Sequence, residues 1–290
     1  AGADDRAAAA RRRRRKRGLR MSDVLFAPWL DRWSLVADGA PIETPTSNLL
    51  PVTQGGAPAM LKLLKPSSDE GPGIAALRWL AGDGAVRVIA AEGDALVMER
   101  AVGHRSLTAM AVGGEDDEAI RIIAGVVRAL HAPRPEPPPA LPTLARRFRA
   151  LFEAGPAHPV LARCAETARR LVVTSQESVV LHGDLHHENV LDSPRGWLAI
   201  DPKGVAGERA YDTANLFLNP AGVERLVLDQ ARAVRLAAIV SEELALDPAR
   251  VLGFAFAHAG LSAAWCIEDG IDPRIAFEAA EMLEPLAHAA

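Results

Sequence analysis

The 290-residue chain holds only two cysteines, Cys164 and Cys266, one tyrosine, and an aromatic share of 4%. With no CxxC pair and no Cys/His array, a zinc finger and a disulfide-stapled secreted scaffold are excluded. A chain of this size buries about three-quarters of its extended surface and needs no such staple. Long hydrophobic runs are lacking as well. The longest mostly apolar stretch, residues 251–265, contains His258 and Ser262. It falls short of the ~18 residues of a bilayer span, so no membrane association is expected.

Charge is present but unevenly placed. Residues 1–20 carry nine Lys/Arg and two Asp, leaving 24 basic against 35 acidic residues, net −11, for the remainder. Residues 11–17 are all basic. Such a block repels itself and is expected to be a disordered tail. It reads as an extended start with Met21 as the first residue of the folding chain. A nucleic-acid arm is the competing reading, and nucleic acid is not an expected partner of the body.

From residue 33 to 64, WSLVAD, SNLLPV and APAMLKLL are short β-type runs separated by turn residues. Alternation in the third puts Lys62 opposite Leu61 and Leu63. A lysine so placed is, on its own, more often solvent-facing than functional. Residues 70–80 suit a helix with Ile74, Leu77 and Leu80 on one face, and 85–90 with 95–100 form a hairpin around Glu92-Gly93-Asp94. Beyond residue 101 the pattern is helical: Ile120, Ile123, Val127 and Leu130 follow a 3.6-residue period. Six prolines between 133 and 142 form a rigid excursion, with helices near 143–154 and 159–173 behind it. Arg146, Arg147 and Arg149 read as a solvated helix face. Two strands follow, SVVLHG and GWLAID, joined by a turn at 193–196, and then three or more helices over 222–288.

Chemistry concentrates in LHGDLHHENVLDSPRGWLAIDPKG, 181–204. Asp184 and Asp201 stand beside the apolar runs 179–181 and 198–200, and acids placed there are costly without partners. A divalent cation is the simplest partner, and the oxygen donors of Asn189 and Asp201 suit Mg2+. Phosphoryl transfer from a nucleotide such as ATP needs a carboxylate that aligns the acceptor hydroxyl, a metal on the phosphate oxygens and a lysine that offsets phosphate charge. Asp184, then Asn189 and Asp201, and Lys62 on an early strand supply these parts in kinase order. As ordinary turn residues, Asp and Asn would also be common here, but not in that frame. His182, His186 and His187 raise a zinc reading, which the glycine at 183 and the missing HExxH glutamate oppose. His182 is expected to bond the loop backbone, and the other two to be polar loop residues.

HGDLHHEN…RGWLAIDPKGVAGE, followed by YDTANLFLNP and by LSAAW at 261–265, closely resembles the aminoglycoside/hydroxyurea resistance kinases, and within them the streptomycin 6-phosphotransferases. The resemblance spans about 21–281. It implies an α+β, two-lobed protein-kinase-like fold of the aminoglycoside phosphotransferase type. The expected division is a nucleotide-binding N-terminal lobe over 21–100 and a larger helical catalytic lobe over 101–290. It implies Asp184 as catalytic residue, Asn189 and Asp201 as Mg2+ ligands, and Lys62 as the ATP lysine. Glu70, in the first helix, would pair with that lysine, and Glu99 to Ala101 would meet adenine. Asp212 would buttress the catalytic loop. No GxGxxG loop is present; Gly55-Gly56 precedes the lysine strand instead, and Gly71-Pro72-Gly73 is unfavourable for a helix that includes Glu70. Glu268 and Asp269 are candidates for binding a cationic acceptor. The expected activity is a cytoplasmic, monomeric, ATP- and Mg2+-dependent kinase acting on a small-molecule hydroxyl, foremost on streptomycin. The alternatives are hydroxyurea as acceptor and an inactive nucleotide-binding regulator.

Overall fold

The computed structural model describes residues 21–66, Ser68 and 70–289. The basic tail, 1–20, lies outside the described residues. The chain forms two compact units that are discontinuous in sequence. Among the described residues, the smaller comprises 21–66 and Ile89–Arg100, and the larger Ser68–Val88 and 101–289. The expected single cut after residue 100 therefore misses that 68–88 belong to the larger unit.

The smaller unit begins with α1 (Met21–Arg32) and continues through β1 (Leu35–Ala37), β2 (Ile42–Glu43), β3 (Ser47–Gln54) and β4 (Ala57–Leu64) to β5 (Val88–Glu92) and β6 (Ala95–Glu99). The sheet order is β1-β3-β4-β6-β5, with β2 on β3. Gln54 pairs with Ala57, so Gly55 and Gly56 alone make the β3–β4 turn. Both have positive φ, 57° and 84°, as a two-residue hairpin of matching twist requires. Phe26 of α1 packs on Leu50, Val52, Ala59, Leu61, Leu63 and Val97. Each buried aliphatic side chain there contributes about 1.5–3 kcal/mol. That fixes the register, since a one-residue slip would drive Lys62 into the apolar layer. Lys62 points to the opposite face, as its alternation requires, yet it is only 6% exposed. The solvent-facing reading of this lysine is overturned.

The larger unit opens with α2 (Gly71–Leu80). Glu70 is its N-cap residue and not part of the helix, which corrects the sequence expectation. Proline is tolerated in a first turn, where its missing N–H has no intrahelical partner anyway. Gly73 is needed for proximity: a Cβ there would lie 1.9 Å from the carbonyl oxygen of Pro202. The relation is reciprocal, because a Cβ on Gly204 (φ +65°) would lie 2.2 Å from the carbonyl oxygen of Pro72. Helix α2 is thus locked main chain to main chain onto the 202–204 turn.

The helical part comprises α3 (Leu107–Val112), α4 (Asp116–Leu130), α5 (Leu144–Arg147), α6 (Arg149–Ala154), α7 (Pro159–Val173), α8 (Glu224–Val227), α9 (Gln230–Leu244), α10 (Pro248–Glu268) and α11 (Arg274–Ala289). Ser106, Thr143, Asp229 and Asp247 cap their helices through side-chain oxygens. Ile120, Ile123, Val127 and Leu130 are buried on α4 as their period demands. The α10 helix is long and apolar enough to cross a membrane by length and composition, but 72% of its apolar window is buried inside the protein. It packs on α6, α7, α11 and a 3-10 segment, Arg209–Leu218. Gly260 lets α7 approach, since a Cβ there would lie 2.4 Å from Cys164 Cβ.

Four short strands complete the unit. β7 (Val179–Leu181) pairs with β10 (Val205–Gly207), and β8 (Val190–Leu191) with β9 (Leu198–Ala199). The turn at 193–196 joins β8 to β9, so the two runs expected to be consecutive strands belong to different ladders. Replacing Gly73 by Ala forces the α2 contact apart. The urea-unfolding free energy is expected to fall by about 1–3 kcal/mol, the usual cost of overpacking; Gly71→Ala, which meets open space, is expected to change it by less than about 1 kcal/mol.

Candidate active site

The loop between β7 and β8 carries His182, Asp184 and Asn189, and its shape is set by a buried carboxylate. Asp212, on the 209–218 segment, accepts from the main-chain N–H of His182 at 2.9 Å and of Gly183 at 2.7 Å. Its Oδ2 also faces His131 Nε2 at 2.8 Å. Burial alone would raise this carboxyl; the bond from His131, the nearby His182 and the Gly183 N–H outweigh it and hold Asp212 below the ordinary range. The buttressing role expected for Asp212 has its physical basis in these bonds.

His182 ties the loop to the segment that follows β9 and carries Asp201. Its Nδ1 accepts from the Asp184 N–H at 3.2 Å, which leaves Nε2–H to donate to the Ile200 carbonyl at 2.8 Å. Burial lowers its pKa, so the ring stays neutral. Both nitrogens are occupied and unavailable to zinc. The His182 carbonyl accepts from Lys203 N–H at 2.7 Å. Between them lies Asp201, whose backbone is left-handed (φ 56°), a conformation costing a non-glycine residue about 1 kcal/mol or more. Strain of this kind persists only where surroundings impose it, and here the Ile200 and Lys203 bonds do so. Lys203 Nζ stands 3.3 Å from Asp201 Oδ2.

Asn189 closes the loop. Its Nδ2 donates to the Asp184 carbonyl at 2.9 Å, and its own carbonyl accepts from Ile200 N–H at 2.9 Å. With the amide nitrogen so engaged, Oδ1 is the atom left for a cation. The Asn189 amide oxygen and the carboxylate of Asp201, whose neighbour Ile200 bonds the Asn189 main-chain carbonyl, are oxygen donors of the kind that fits Mg2+. Among the described residues no group of three or more His, Cys, Asp or Glu could hold a metal alone.

The predicted site residues fall into two sets. Asp184, Asn189 and Asp201 come together in the larger unit, with Glu70 (6% exposed) heading the helix locked onto the Asp201 turn. Lys62 and Glu99 belong to the smaller unit, on adjacent strands β4 and β6. Ala101 starts an irregular segment in the larger unit that Asp192 holds through the N–H groups of His104 and Arg105. Glu268 and Asp269 are exposed at the end of α10, one turn past Trp265.

Two sequence readings need correction here, and one residue was missed. Arg147 is half-buried and engaged, not part of a solvated face: it donates to the Gly183 carbonyl at 2.9 Å and stacks 4.5 Å from the Trp265 ring. Arg146 and Arg149 are exposed as expected. His187, expected as a polar loop residue, is buried in the 3-10 turn 187–189. It is 2% exposed, lies 4.0 Å from Asp116, and burial together with Arg232 lowers it to about 4. The sequence reading also missed Asn215, whose Nδ2 donates to Asp184 Oδ1 at 3.1 Å. The signal was its place three residues after Asp212 in YDTAN.

Asp212 contributes stability that is present above the unfolded carboxyl pKa and is lost as pH falls through its depressed folded value. Asp212→Asn would set an amide donor against a loop N–H. It is expected to cost about 2–4 kcal/mol at neutral pH in urea unfolding and to flatten the fall of stability below about pH 4.

Residues 32–270 match the family described as aminoglycoside/hydroxyurea antibiotic resistance kinase. The chain is 46% identical over 246 residues to a streptomycin 3''-kinase of Klebsiella pneumoniae, covering 83% of this chain and 92% of that one. It is 34% identical over 266 residues to a streptomycin 6-kinase of Streptomyces griseus, covering 85% and 83%. Among solved structures, it shares its fold with a thermostable mutant of aminoglycoside phosphotransferase APH(4)-Ia in ternary complex with ADP and hygromycin B. The TM-score is 0.63 at 15% identity, covering 91% of this chain and 98% of that one. The buttressed Asp184 loop, the Asn189–Asp201 oxygen pair and a match across most of the sequence agree: the chain belongs to the aminoglycoside/hydroxyurea antibiotic resistance kinase family.

Proposed function

We propose that this kinase uses ATP and Mg2+ to phosphorylate a hydroxyl of streptomycin in the cytoplasm, and that the hydroxyl is the 3'' one. The observation that carries the reading is the loop geometry around Asp184. Two main-chain bonds to Asp212 and two tethers, from His182 and Asn189, present its half-buried carboxylate at the loop's turn. Support for the acceptor comes from the streptomycin kinases it resembles, and for the 3'' position from the 46% likeness to the Klebsiella enzyme against 34% for the 6-kinase.

The chemistry follows from the residues. Mg2+, when bound, would neutralise the phosphate oxygens. Asn189 Oδ1 and Asp201, at its left-handed backbone position, would hold it. Lys62, buried on β4, would pair with nucleotide phosphate, Glu70 would serve the nucleotide from the head of α2, and Glu99 to Ala101 would contact adenine. Asp184 accepts the hydroxyl proton as the acceptor oxygen bonds to the γ-phosphorus. The bridging β–γ oxygen leaves with its electron pair as ADP. Glu268 and Asp269, exposed and anionic, would draw in a polycation.

Incubation with ATP, Mg2+ and either streptomycin, other aminoglycosides or hydroxyurea is expected to give transfer to streptomycin, at the 3''-hydroxyl by fragmentation mass spectrometry. Asp184→Ala is expected to lower kcat at least ~100-fold with nucleotide affinity retained, the range for loss of a positioned acid–base group. Unchanged turnover in that variant removes the mechanism. Transfer to hydroxyurea alone reassigns the acceptor.

A further inference from the structure

Asp184 is anchored through one oxygen. Oδ1 accepts from Asn215 Nδ2 at 3.1 Å, and among the described residues no side chain bonds Oδ2. Behind Asn215 the donors run in a single direction. Asn215 Oδ1 lies 3.1 Å from Asn219 Nδ2 and 3.2 Å from His258 Nε2. His258 Nδ1 lies 3.3 Å from the Tyr211 hydroxyl, whose oxygen accepts from Arg147 Nε at 3.4 Å.

Only one proton assignment satisfies every link. Asn219 Nδ2 also donates to the Asn215 carbonyl at 2.8 Å, which places its nitrogen. Asn215 must then offer oxygen to Asn219 and nitrogen to Asp184; the flipped amide would set two NH2 groups together and an acceptor against a carboxylate. His258 must carry its proton on Nε2, donate to Asn215 and accept from Tyr211. His258 and Tyr211 are both buried, with ring centroids 5.8 Å apart, and Trp265 closes the other side of His258 at 6.0 Å. Burial, with the Arg147 charge second, lowers His258 to about 3, so the neutral ring that the chain requires persists at any working pH.

An Asp carboxylate rotates broadly about its terminal torsion, which exchanges its oxygens. The Asn215 bond removes that freedom and reserves one oxygen for the acceptor. We propose that Asn215, itself oriented by His258, is the positioning residue that presents Asp184 Oδ2 to the acceptor hydroxyl. The inference rests on the reading of Asp184 as the acceptor-aligning carboxylate.

The test uses the full chain with ATP, Mg2+ and streptomycin, with Asp184→Asn as the reference. Asn215→Leu and His258→Phe are each expected to lower kcat about 10- to 100-fold, as small misplacements of catalytic groups do, with both KM values within about threefold of wild type. The double variant should be no slower than the slower single, because both break one chain. Asn215→Asp keeps the shape and puts a second carboxylate beside Asp184. It should move the acidic limb of the kcat–pH profile upward by about one unit or more, which a merely structural role would not do. Wild-type kcat in Asn215→Leu, an unmoved acidic limb in Asn215→Asp, or losses that multiply in the double variant would overturn the proposal while Asp184→Asn is inactive. An active Asp184→Asn overturns the reading beneath it as well.

Discussion

A carboxylate sealed from water needs every one of its lone pairs answered, and Asp212 answers them with the loop that bears Asp184. Two consecutive main-chain N–H groups and one imidazole converge on it. The bonds serve both sides: the loop gains a fixed conformation, and the buried charge gains the donors without which it would be prohibitively costly. From this anchor the remaining geometry propagates. His182 reaches Ile200, Asn189 reaches both Asp184 and Ile200, and the 203–204 main chain returns to His182. The site is therefore organised from its main chain outward, with side chains arranged on an already determined path.

The second organising feature is the assignment of α2. Although it lies in sequence between two strands of the sheet, its residues fold with the helical unit. Its first turn has no room for side chains against Pro202, and its last residues lead into Ala85 and Val86, which pair with Ala199 at the base of the Asp201 turn. Glu70 and Asp201 consequently share one unit, while Lys62 and Glu99 share the other.

What was legible in the sequence followed from locality. Asp184, Asn189 and Asp201 lie within one short stretch whose spacing reflects a single loop and strand, and the α4 period identified its buried face directly. Alternation told which face Lys62 takes, though not that the face is covered, because burial depends on chain far away. Arg147 was misread for the same reason. On so short a helix periodicity carries little information, and the Trp265 ring that covers it comes from 118 positions later. Tyr211 and Asn215 stand in YDTANLFLNP, a segment that marked the family, and His258 lies just before LSAAW, but their mutual contacts arise only where α10 crosses the 209–218 segment. Gly71-Pro72-Gly73 was unfavourable by propensity and is favourable by packing, a case of tertiary proximity overruling local preference.

The facing glycines at 73 and 204 have an implication for how such an enzyme can diverge. Most crowded contacts can be relieved by trimming the neighbour, so one enlarged side chain is rescued by another made smaller. Here each glycine abuts a peptide oxygen of the other segment, and no amino-acid exchange makes a peptide oxygen smaller. Neither position has a compensating partner, so both are closed to gradual change, and variation in this enzyme must proceed around that junction.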